Sequence, residues 1–414
     1  MMNRLKWLYP GLKLKRWIFL MVVGVILVSV GVSMAVSIRP LDIIRYRVPG
    51  IIIVLFGIYF NILAIRRMLL SVYDVLSPER NERLIEVLYQ ERYRRKGPKI
   101  VVVGGGTGLS TMLRGIKKFT NNITAIVTVA DDGGSSGVLR DELGILPPGD
   151  IRNCLVALAD TEPLMERLFQ YRFSEGKDLK GHSFGNIFIA TLAEILGNFE
   201  EAVKESSKIL AIKGRVLPST LEDVRLSARL ESGELIKGES QIPKIKGKID
   251  KVFIDPEDSK PLPEALEAIK EADAIILGPG SLYTSVLPNL LVKDLTEEIK
   301  KSDALKLYIC NVMTQAGETD DYNASDHLQA LYDHVGSEIV DYILVNNERI
   351  SADLIEKYGK EGSRPVEVDL AKLKKQNIEV VQESVISQSN VVRHDPEKLA
   401  RVLIDLIFQK IRGY

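Results

Sequence analysis

The stretch KIVVVGGGTGLS, from Lys99 to Ser110, decides the fold class. It joins an apolar run, Ile100–Val103, to a cluster of glycines and then to a helical pattern that begins near Leu109. A run that is apolar throughout is typical of a strand buried on both faces of a parallel sheet. Glycines at such a seam let the backbone approach a phosphate, and the helix start points free N–H groups at it. The stretch predicts a strand, a phosphate-binding loop and a helix; a tight turn without a ligand is the alternative.

The glycine spacing differs from the dinucleotide-binding fingerprint. GxGxxG counted from Gly104 needs a glycine where Leu109 stands, and no GK[ST] sequence follows as in a P-loop. The next acidic pair, Asp131–Asp132, begins 27 residues after Gly104, whereas the fingerprint expects an acidic residue about 20 residues on. The spacing therefore disfavours an ordinary NAD(P)-dependent oxidoreductase.

Further apolar runs predict the rest of the sheet. Strand and helix patterns alternate from Lys99 onward, which predicts an α/β fold with a doubly wound, mostly parallel, Rossmann-like sheet. Residues 213–251 break this alternation with short, half-polar strand patterns, so we expect a small β-rich insertion there. The strand candidates are Ile100–Val103, Ile123–Val129, Val252–Ile254, Ala274–Leu277, Lys306–Cys310, Tyr342–Val345 and a last one near Ile378–Val385.

Two apolar segments precede this domain. Residues 17–38 and 48–65 contain no charged side chain, and a helix needs about 20 apolar residues to cross a bilayer. We expect two transmembrane helices that contact membrane lipid. The alternatives are a cleaved signal peptide for the first and a buried core helix for the second. The predicted organisation is a membrane anchor over 1–70, a juxtamembrane helix or linker over 71–97, and an α/β domain over 98–414.

The charges divide the chain at the same place. Residues 1–96 carry 16 Lys and Arg against 6 Asp and Glu, and the remainder carries 39 against 49. Basic residues flank both apolar segments, which predicts a multi-pass plasma-membrane protein with residues 98–414 in the cytoplasm. The acidic domain disfavours nucleic acid as a partner. The two cysteines form no CxxC pair, which fits a reducing compartment and offers no zinc site.

An apolar stripe runs along the expected juxtamembrane helix. Leu84, Val87 and Leu88 lie between charged residues there. The stripe would pair with a second copy in a homo-oligomer or pack on the α/β domain, or the helix is a solvated spacer.

Polar loops follow the predicted strands at the edge where doubly wound sheets bind ligands. Asp131 and Asp132 open the loop DDGGSSG and could hold Mg²⁺, grip ribose hydroxyls or act as acid and base. The loop GPGSLYTS, Gly278–Ser285, is a second phosphate-binding candidate. Asn311 and Thr314, after a later strand, could hydrogen-bond a base or a sugar.

Three more positions each allow both a ligand-binding and a purely structural interpretation. Arg152, in PPGDIRN, lies in a predicted first helical turn, where a cation is disfavoured unless a phosphate binds; Asp150 beside it is a natural helix cap. His182, in GHSFGN, is a ligand-binding or catalytic candidate, or a structural histidine. Arg393 either reaches a phosphate or simply precedes the helix start at Asp395–Pro396.

Taken together, these motifs resemble one protein family. GGGTGLS, DDGGSSG, PPGDIRN, GHSFGN, GPGSLYTS and CNVMTQAGET occur in this order in the gluconeogenesis factors. These YvcK-like proteins belong to the CofD/2-phospho-L-lactate transferase superfamily, and the resemblance covers about residues 98–412.

The resemblance implies a fold and two functions. The gluconeogenesis-factor branch implies a CofD-like protein that binds a UDP-sugar, such as UDP-N-acetylglucosamine, and links carbon metabolism to cell shape and envelope synthesis. No established reaction comes with that branch. The transferase branch implies, as the alternative, a phosphotransferase of the 2-phospho-L-lactate transferase type that uses Mg²⁺. No tightly bound cofactor is expected in either case.

The candidate residues fall into three groups. The catalytic candidates, should a reaction be catalysed, are Asp131, Asp132 and His182. Asp131 and Asp132 are also the candidate Mg²⁺ ligands. The candidates for binding the nucleotide sugar are Gly104, Gly105, Gly106, Thr107, Gly108, Asp131, Asp132, Gly133, Ser135, Ser136, Arg152, Asn153, Asn186, Gly278, Gly280, Ser281, Thr284, Ser285, Asn311, Thr314 and Arg393.

Overall fold

The chain divides into two compact units. The structure, a computed structural model, describes residues 14–36, 47–76, 93–160, 163–244 and 247–412. One unit lies within Met1–Gln90 and the other spans Glu91–Tyr414. The predicted juxtamembrane helix, with Leu84, Val87 and Leu88, lies mostly outside the described residues, so its role stays a prediction.

The first unit contains two apolar helices, α1 (Leu14–Ala35) and α2 (Val48–Leu76). Glycines let them pack closely, since a Cβ on Gly57 would lie 2.7 Å from the Gly24 carbonyl oxygen. Within them, Arg16–Ala35 and Val48–Leu69 are long and apolar enough to cross a membrane. Most of their apolar side chains are exposed, unlike those of a core helix. A signal sequence would share the length and composition of the first segment.

A seven-stranded sheet forms the centre of the second unit. Its strands are β1 (Ile100–Gly104), β2 (Ile123–Val127), β3 (Arg215–Pro218), β7 (Ala274–Leu277), β8 (Leu305–Ile309), β9 (Tyr342–Asn346) and β10 (Glu379–Glu383). Their order is β10-β9-β8-β7-β1-β2-β3, and every neighbouring pair is parallel. This confirms the predicted doubly wound sheet.

The predicted small β-rich insertion is confirmed as a separate three-stranded sheet, but its boundaries differ from the prediction at both ends. The segment at 213–251 was expected to lie outside the main sheet, but β3 pairs with β2 as an edge strand, because Val216, Leu217 and Pro218 are buried against the core. Conversely, Val252–Ile254 lies in a separate antiparallel sheet of β4 (Arg225–Leu230), β5 (Leu235–Lys237) and β6 (Ile249–Asp255). Its alternating burial fits a sheet with one solvated face.

Helices cover both faces of the main sheet. Those described in the second unit are α3 (Gly106–Ile116), α4 (Gly134–Leu143), α5 (Gly149–Leu158), α6 (Pro163–Gln170), α7 (Phe184–Leu196), α8 (Phe199–Ile209), α9 (Pro263–Lys270), α10 (Leu287–Leu290), α11 (Lys293–Lys301), α12 (Ala324–Val335), α13 (Ala352–Lys360), α14 (Leu370–Leu373) and α15 (Pro396–Arg412). A π-helix spans Leu282–Val286, and 3₁₀ turns span Glu239–Lys244 and Lys374–Gln376. A hairpin of β11 (Ile386–Gln388) and β12 (Val392–His394) precedes α15.

The strand order places the ligand-binding crevice. The chain winds one way from β1 to β2 and β3, and the other way from β7 to β8, β9 and β10. In such sheets ligands bind beyond the carboxyl ends of the strands where the order reverses. That point lies between β1 and β7, whose following loops are the two predicted phosphate loops.

Candidate functional site

The two glycine loops pack directly against each other. A Cβ on Gly108 would lie 2.7 Å from the carbonyl oxygen of Pro279, and one on Gly280 would lie 3.3 Å from that of Gly105. Real Cβ atoms do not approach backbone oxygens this closely, so Gly108 must lack a side chain for the loops to touch. Gly106 has a φ of +67°, a left-handed conformation that suits glycine. The sequence motifs therefore form one structure across β1 and β7.

A cleft of about 300 Å³ opens between these loops and the chain that follows β8. Ten of the predicted ligand-binding residues line it, and these are Gly105, Gly106, Thr107, Gly108, Gly280, Ser281, Ser285, Asn311, Thr314 and Arg393. Among the described residues that line the cleft there is no Asp or Glu. The α3 helix starts in its wall, and its N-cap residue, Gly105, has no side chain that could cap the helix. A cleft with a helix start, an arginine and no acidic lining residue suits an anion.

Hydrogen bonds fix the polar side of the cleft. The Gln315 side chain donates to Ser281 Oγ at 2.7 Å and accepts from the Asn311 side chain at 3.2 Å. Thr314 Oγ1 accepts from the Arg364 amide at 3.0 Å. These bonds hold Asn311 and Thr314 in place at the rim, where both could meet a ligand.

The β11–β12 hairpin closes the far side of the cleft. Arg393 is exposed there, and His394 lines the same wall. Burial lowers the pKa of His394 to about 4, so the ring is neutral at pH 7. Tyr358, on α13, also lines the cleft and accepts the Val392 amide at 3.0 Å. No sequence pattern marks Tyr358 as a site residue, because it lies in a charged helix, far from any glycine-rich motif.

Two residues of the second glycine loop have other tasks. Gly278 has a φ of +80° and turns the chain at the end of β7. The Thr284 hydroxyl points away from the cleft lining and donates to the buried carboxylate of Glu318, with both oxygens at 3.3 Å. Thr284 therefore supports the loop from behind.

A group of carboxylates lies beside the first glycine loop. We call Asp131, Asp132, Asp150, Glu239 and Glu318 the carboxylate cluster. The Gly106 amide donates to Asp150, and a Cβ on Gly105 would lie 2.5 Å from Asp150 Oδ2. Asp150 therefore links the cluster to the first glycine loop. The prediction that it caps the helix is wrong, because the N-cap of α5 is Pro148 and Asp150 lies in the first turn.

Burial and mutual repulsion perturb the cluster. Burial raises the pKa of Asp131, to which the negative charge of Asp132 adds. Burial, and then the charge of Asp131, raises the pKa of Asp150 to about 6. Burial raises the pKa of Glu318 to about 7, and burial with four neighbouring negative charges raises that of Glu239 to about 8. The cluster can therefore bind protons or a cation, or form hydrogen bonds with the hydroxyl groups of a ligand.

Glu239 reaches the cluster from the insertion. The Ser240 amide donates to Asp132 Oδ1 at 2.8 Å, and a Cβ on Gly238 would lie 2.6 Å from Asp132 Oδ2. On the other side, Gly317 approaches the Pro243 carbonyl so closely that its Cβ would lie 2.3 Å away. Asp132 and Gly317 therefore hold the 3₁₀ turn over the carboxyl edge of the main sheet. Nothing in the local sequence around Glu239 marks it as a site residue.

The remaining predicted residues form a hydrogen-bonded network behind Asp131. Ser135 Oγ accepts from the Asn186 side chain at 3.2 Å and lies 3.2 Å from His182 Nδ1. Ser136 contacts Asp131, whose Oδ1 accepts the Gly133 amide at 2.8 Å.

Arg152 belongs to the same network. It is buried and donates to Ser183 and to Asn153 Oδ1. The negative charges of Asp150 and Asp131 also stabilise its guanidinium, and together these contacts account for a cation at a helix start. Arg152, Asn153, Asn186 and His182 are therefore brought together near Asp131, but they do not line the cleft.

Fold and site together define a doubly wound α/β protein with paired glycine loops at the switch point and a carboxylate cluster beside them. Residues 100–386 match the family described as 2-phospho-L-lactate transferase CofD. A protein of Clostridium acetobutylicum named "Putative gluconeogenesis factor" is 47% identical over 99% of this chain and 93% of its own length. The Bacillus subtilis "Gluconeogenesis factor" is 54% identical over 75% of this chain and 98% of its own length. The chain therefore belongs to the CofD family, among the proteins named gluconeogenesis factors.

A solved structure agrees with this fold. A UPF0052-family protein from Bacillus halodurans superposes with a TM-score of 0.73 at 53% identity, and the match covers 75% of this chain and 99% of that chain. That relative and the Bacillus subtilis protein therefore consist of little beyond the α/β domain. The Clostridium relative, in contrast, also matches the segment that contains α1 and α2.

Proposed function

We propose that the α/β domain binds a UDP-sugar, such as UDP-N-acetylglucosamine, and that the protein acts as a regulatory gluconeogenesis factor. The observation that carries this proposal is the contact between the two glycine loops at the switch point. Each loop presents backbone N–H groups, and two adjacent phosphate cradles suit a diphosphate. Arg393 supplies a cation at the cleft, where no lining residue of the described chain is acidic.

The two sides of the glycine loops suit the two ends of such a ligand. Asn311, Thr314 and Tyr358 line the cleft, where a nucleoside would find hydrogen bonds and an aromatic ring. The carboxylate cluster lies beyond Gly105 and Gly106, where a sugar attached to the diphosphate would extend. Carboxyl groups with raised pKa values can donate to or accept from sugar hydroxyls.

Calorimetric titration of the purified protein tests the proposal. UDP-N-acetylglucosamine should bind, UDP should bind more weakly, and UMP weaker still, because each loses contacts to one side of the loops. GDP and NAD, which carry a base other than uracil, serve as control competitors. Absence of heat and of a thermal shift with every UDP compound at millimolar concentration refutes the proposal.

A pair of variants distinguishes the contribution of the sugar to the binding affinity from that of the UDP part. Glu239→Gln should weaken the binding of the UDP-sugar but leave that of UDP unchanged, because Glu239 is outside the cleft. The matched control is Glu234→Gln, an exposed position on the same insertion, which should change neither. Equal losses for UDP and UDP-sugar would place the sugar elsewhere.

Mg²⁺ is the cofactor we propose for this site. The described residues contain no group of three or more His, Cys, Asp or Glu side chains already arranged to share a metal. Mg²⁺ in phosphate sites, however, is commonly held by one or two carboxylates together with the phosphates of the substrate. Asp131 and Asp132 offer such oxygen donors, and the bound ion would neutralise the diphosphate beside the carboxylate cluster. EDTA should then weaken binding, and Mg²⁺ but not K⁺ should restore it.

The apolar helices α1 and α2 support a location at the plasma membrane, with the α/β domain in the cytoplasm. The two helices are long and apolar enough to cross a bilayer. Carbonate extraction of cell membranes tests this location, since a spanning protein stays in the pellet. Recovery of a shortened, soluble chain would instead identify residues 17–38 as a cleaved signal segment.

We propose a link to carbon metabolism and cell shape. The relatives' name supports the part in carbon metabolism, and a UDP-sugar ligand would support the part in cell shape. Cells that lack the protein should lose their normal shape on gluconeogenic carbon sources and keep it on glucose. The wild-type gene should restore shape, and a variant that cannot bind the ligand should not. If both genes restore the normal shape, the role in cell shape does not depend on ligand binding at this site.

A phosphotransferase activity of the 2-phospho-L-lactate transferase type is the second candidate. The family match and the carboxylates beside the phosphate loops favour it. An assay with Mg²⁺, a guanosine-diphosphate-linked phospholactate donor and a deazaflavin acceptor tests it. Turnover that is lost in Asp131→Asn supports an enzyme, whereas tight UDP-sugar binding without turnover supports the regulator.

A further inference from the structure

A buried carboxylate lies behind the second glycine loop. Glu318 is 6% exposed and is not among the residues that line the ligand cleft. The Thr284 hydroxyl donates to its two oxygens, and the backbone amides of Tyr283 and Thr284 donate to the same carboxylate. A carboxylate loses its hydration on burial, and only such donors offset that cost. The position of Glu318 is therefore tied to the loop that contains these donors.

The bonds to Glu318 complete the start of the π-helix Leu282–Val286. Its N-cap residue, Ser281, makes no side-chain bond to the helix, and the first amides of a helix have no partner within it. Glu318 supplies the acceptor from 34 residues away in the chain. A negative charge also suits the positive end of the helix dipole. The amides of Tyr283 and Thr284 are thus already paired within the protein.

The orientation of Thr284 determines that of its neighbour Ser285. Thr284 donates back to Glu318, whereas Ser285 lines the cleft. The Ser285 Oγ atom lies 3.5 Å from the position that a Cβ on Gly106 would take, so it lies against the first glycine loop. The Ser285 carbonyl accepts from the Asn289 side chain at 2.8 Å, and that side chain also donates to the end of β1. Glu318 therefore holds the side of the loop opposite to the ligand.

The segment that contains Glu318 also holds the front of the same loop. The Gln315 side chain donates to Ser281 Oγ at 2.7 Å. The Glu318 amide donates to the Gln315 carbonyl at 3.0 Å, which joins the two residues in one turn. Gln315 thus contacts the loop from the cleft, and Glu318 contacts it from behind. A loop that is already fixed loses less conformational entropy when a ligand binds.

We propose that Glu318 is a positioning residue for ligand binding, which fixes the second glycine loop so that the Ser281 and Ser285 hydroxyls face the phosphates. This role rests on the proposed diphosphate-binding function. It assigns the phosphate contacts of this loop to the two hydroxyls, which can donate to phosphate oxygens, and not to the amides of Tyr283 and Thr284. Glu318 itself does not touch the ligand.

Calorimetric titration of the full-length protein tests this role with two probes, UDP-N-acetylglucosamine and inorganic pyrophosphate. Glu318→Met keeps the approximate size of the side chain but accepts no amide, so it should weaken the binding of both probes by about tenfold or more. Glu318→Gln should recover most of this loss, because its oxygen accepts an amide and its NH₂ group can donate to Thr284. Glu338→Met, at an exposed glutamate between α12 and β9, is the matched control and should bind as wild type.

Hydrogen exchange without ligand gives the second readout. In the peptide that contains Tyr283 and Thr284, exchange should be about tenfold faster in Glu318→Met than in wild type, and close to wild type in Glu318→Gln. Thr284→Val removes one bond to the carboxylate and keeps the shape of the side chain, so it should give intermediate exchange and intermediate affinity. It takes the place of Glu318→Met should circular dichroism show that variant to be unfolded.

The outcomes distinguish this role from the proposed function. Wild-type affinity in Glu318→Met, or a loss in Glu318→Gln as large as in Glu318→Met, overturns the role of Glu318 and leaves UDP-sugar binding intact. Faster exchange with unchanged affinity also overturns it, since Glu318 would then be purely structural. Binding of pyrophosphate alone, with the expected order of variants, refutes the UDP-sugar and supports Glu318. A wild-type protein that binds neither probe refutes both.

Discussion

The ligand cleft and the carboxylate cluster lie on opposite sides of one glycine loop, and they have opposite electrostatics. The cleft offers backbone N–H groups, neutral hydrogen-bonding side chains and Arg393. The carboxylate cluster gathers five acidic side chains, among which Glu239 has its pKa raised to about 8. The cleft on one side of the loop therefore suits an anion. The carboxylate cluster on the other side suits a proton, a hydroxyl-rich group or a cation.

The largest expected effect comes from breaking the contact that builds the cleft. In Gly108→Ala the new Cβ meets the Pro279 carbonyl oxygen, so the two loops must separate. A displacement of about 1 Å can cost about 100-fold, and we expect a loss of that size in UDP-sugar affinity by calorimetry. Gly359→Ala on α13 is the control, because a Cβ there meets no atom within 4 Å. Unchanged affinity in Gly108→Ala would mean that the loop contact is unnecessary for binding.

The carboxylate side is tested next, through the pH dependence of stability. Glu239 has a higher pKa in the folded chain than in the unfolded one, so its contribution is complete below about pH 4.5 and is lost as the pH rises through about 8. Glu239→Gln removes this titration. At pH 8 it should raise the free energy of unfolding by on the order of 2 kcal/mol, and at pH 4.5 by almost nothing.

Urea denaturation in EDTA at both pH values measures this difference. Glu234→Gln, exposed on the same insertion, should follow wild type at each pH. If Glu239→Gln changes the free energy of unfolding equally at both pH values, burial and the neighbouring carboxylates do not destabilise the ionised form of Glu239.

A smaller effect is expected from the cation of the cleft. Arg393→Ala should weaken the binding of UDP by about tenfold and reduce the salt dependence of binding, since an exposed charge is partly screened. Arg401→Ala on α15 is the matched exposed arginine, which pairs with Glu397 away from the cleft. Equal behaviour of the two variants would exclude Arg393 from phosphate binding.

The smallest effect is expected at Asp132. Asp132→Asn keeps an oxygen that can accept the Ser240 amide, so the free energy of unfolding should stay within about 0.5 kcal/mol of wild type. Asp132→Ala should lower it by about 1 kcal/mol, because the Ser240 amide loses its partner. In EDTA, both variants should bind UDP as tightly as the wild-type protein does in EDTA. A strong loss of UDP binding in Asp132→Asn would give Asp132 a direct role at the diphosphate.

The sequence motifs located the cleft but not the contacts of the residues around it. Glycine runs after apolar strands identify Gly105–Gly108 and Gly280, because the backbone geometry that needs glycine is local. The role of Arg152 at a phosphate stays a prediction, and the structure adds that Arg152 is buried and donates to Ser183 and Asn153. Ser183 lies 31 residues away in the chain, and no spacing rule reaches that far.

The sequence by itself determined the doubly wound sheet, the two glycine loops that follow β1 and β7, and the apolar character of α1 and α2. These features depend on local periodicity, on glycine and on the length of uncharged runs. Only the tertiary structure decided that β3 joins the main sheet, that Tyr358 enters the cleft and that Glu239 joins the carboxylate cluster. Each of these depends on contacts between segments far apart in the chain, which are set by packing and by close backbone approaches such as that of Gly317 to Pro243.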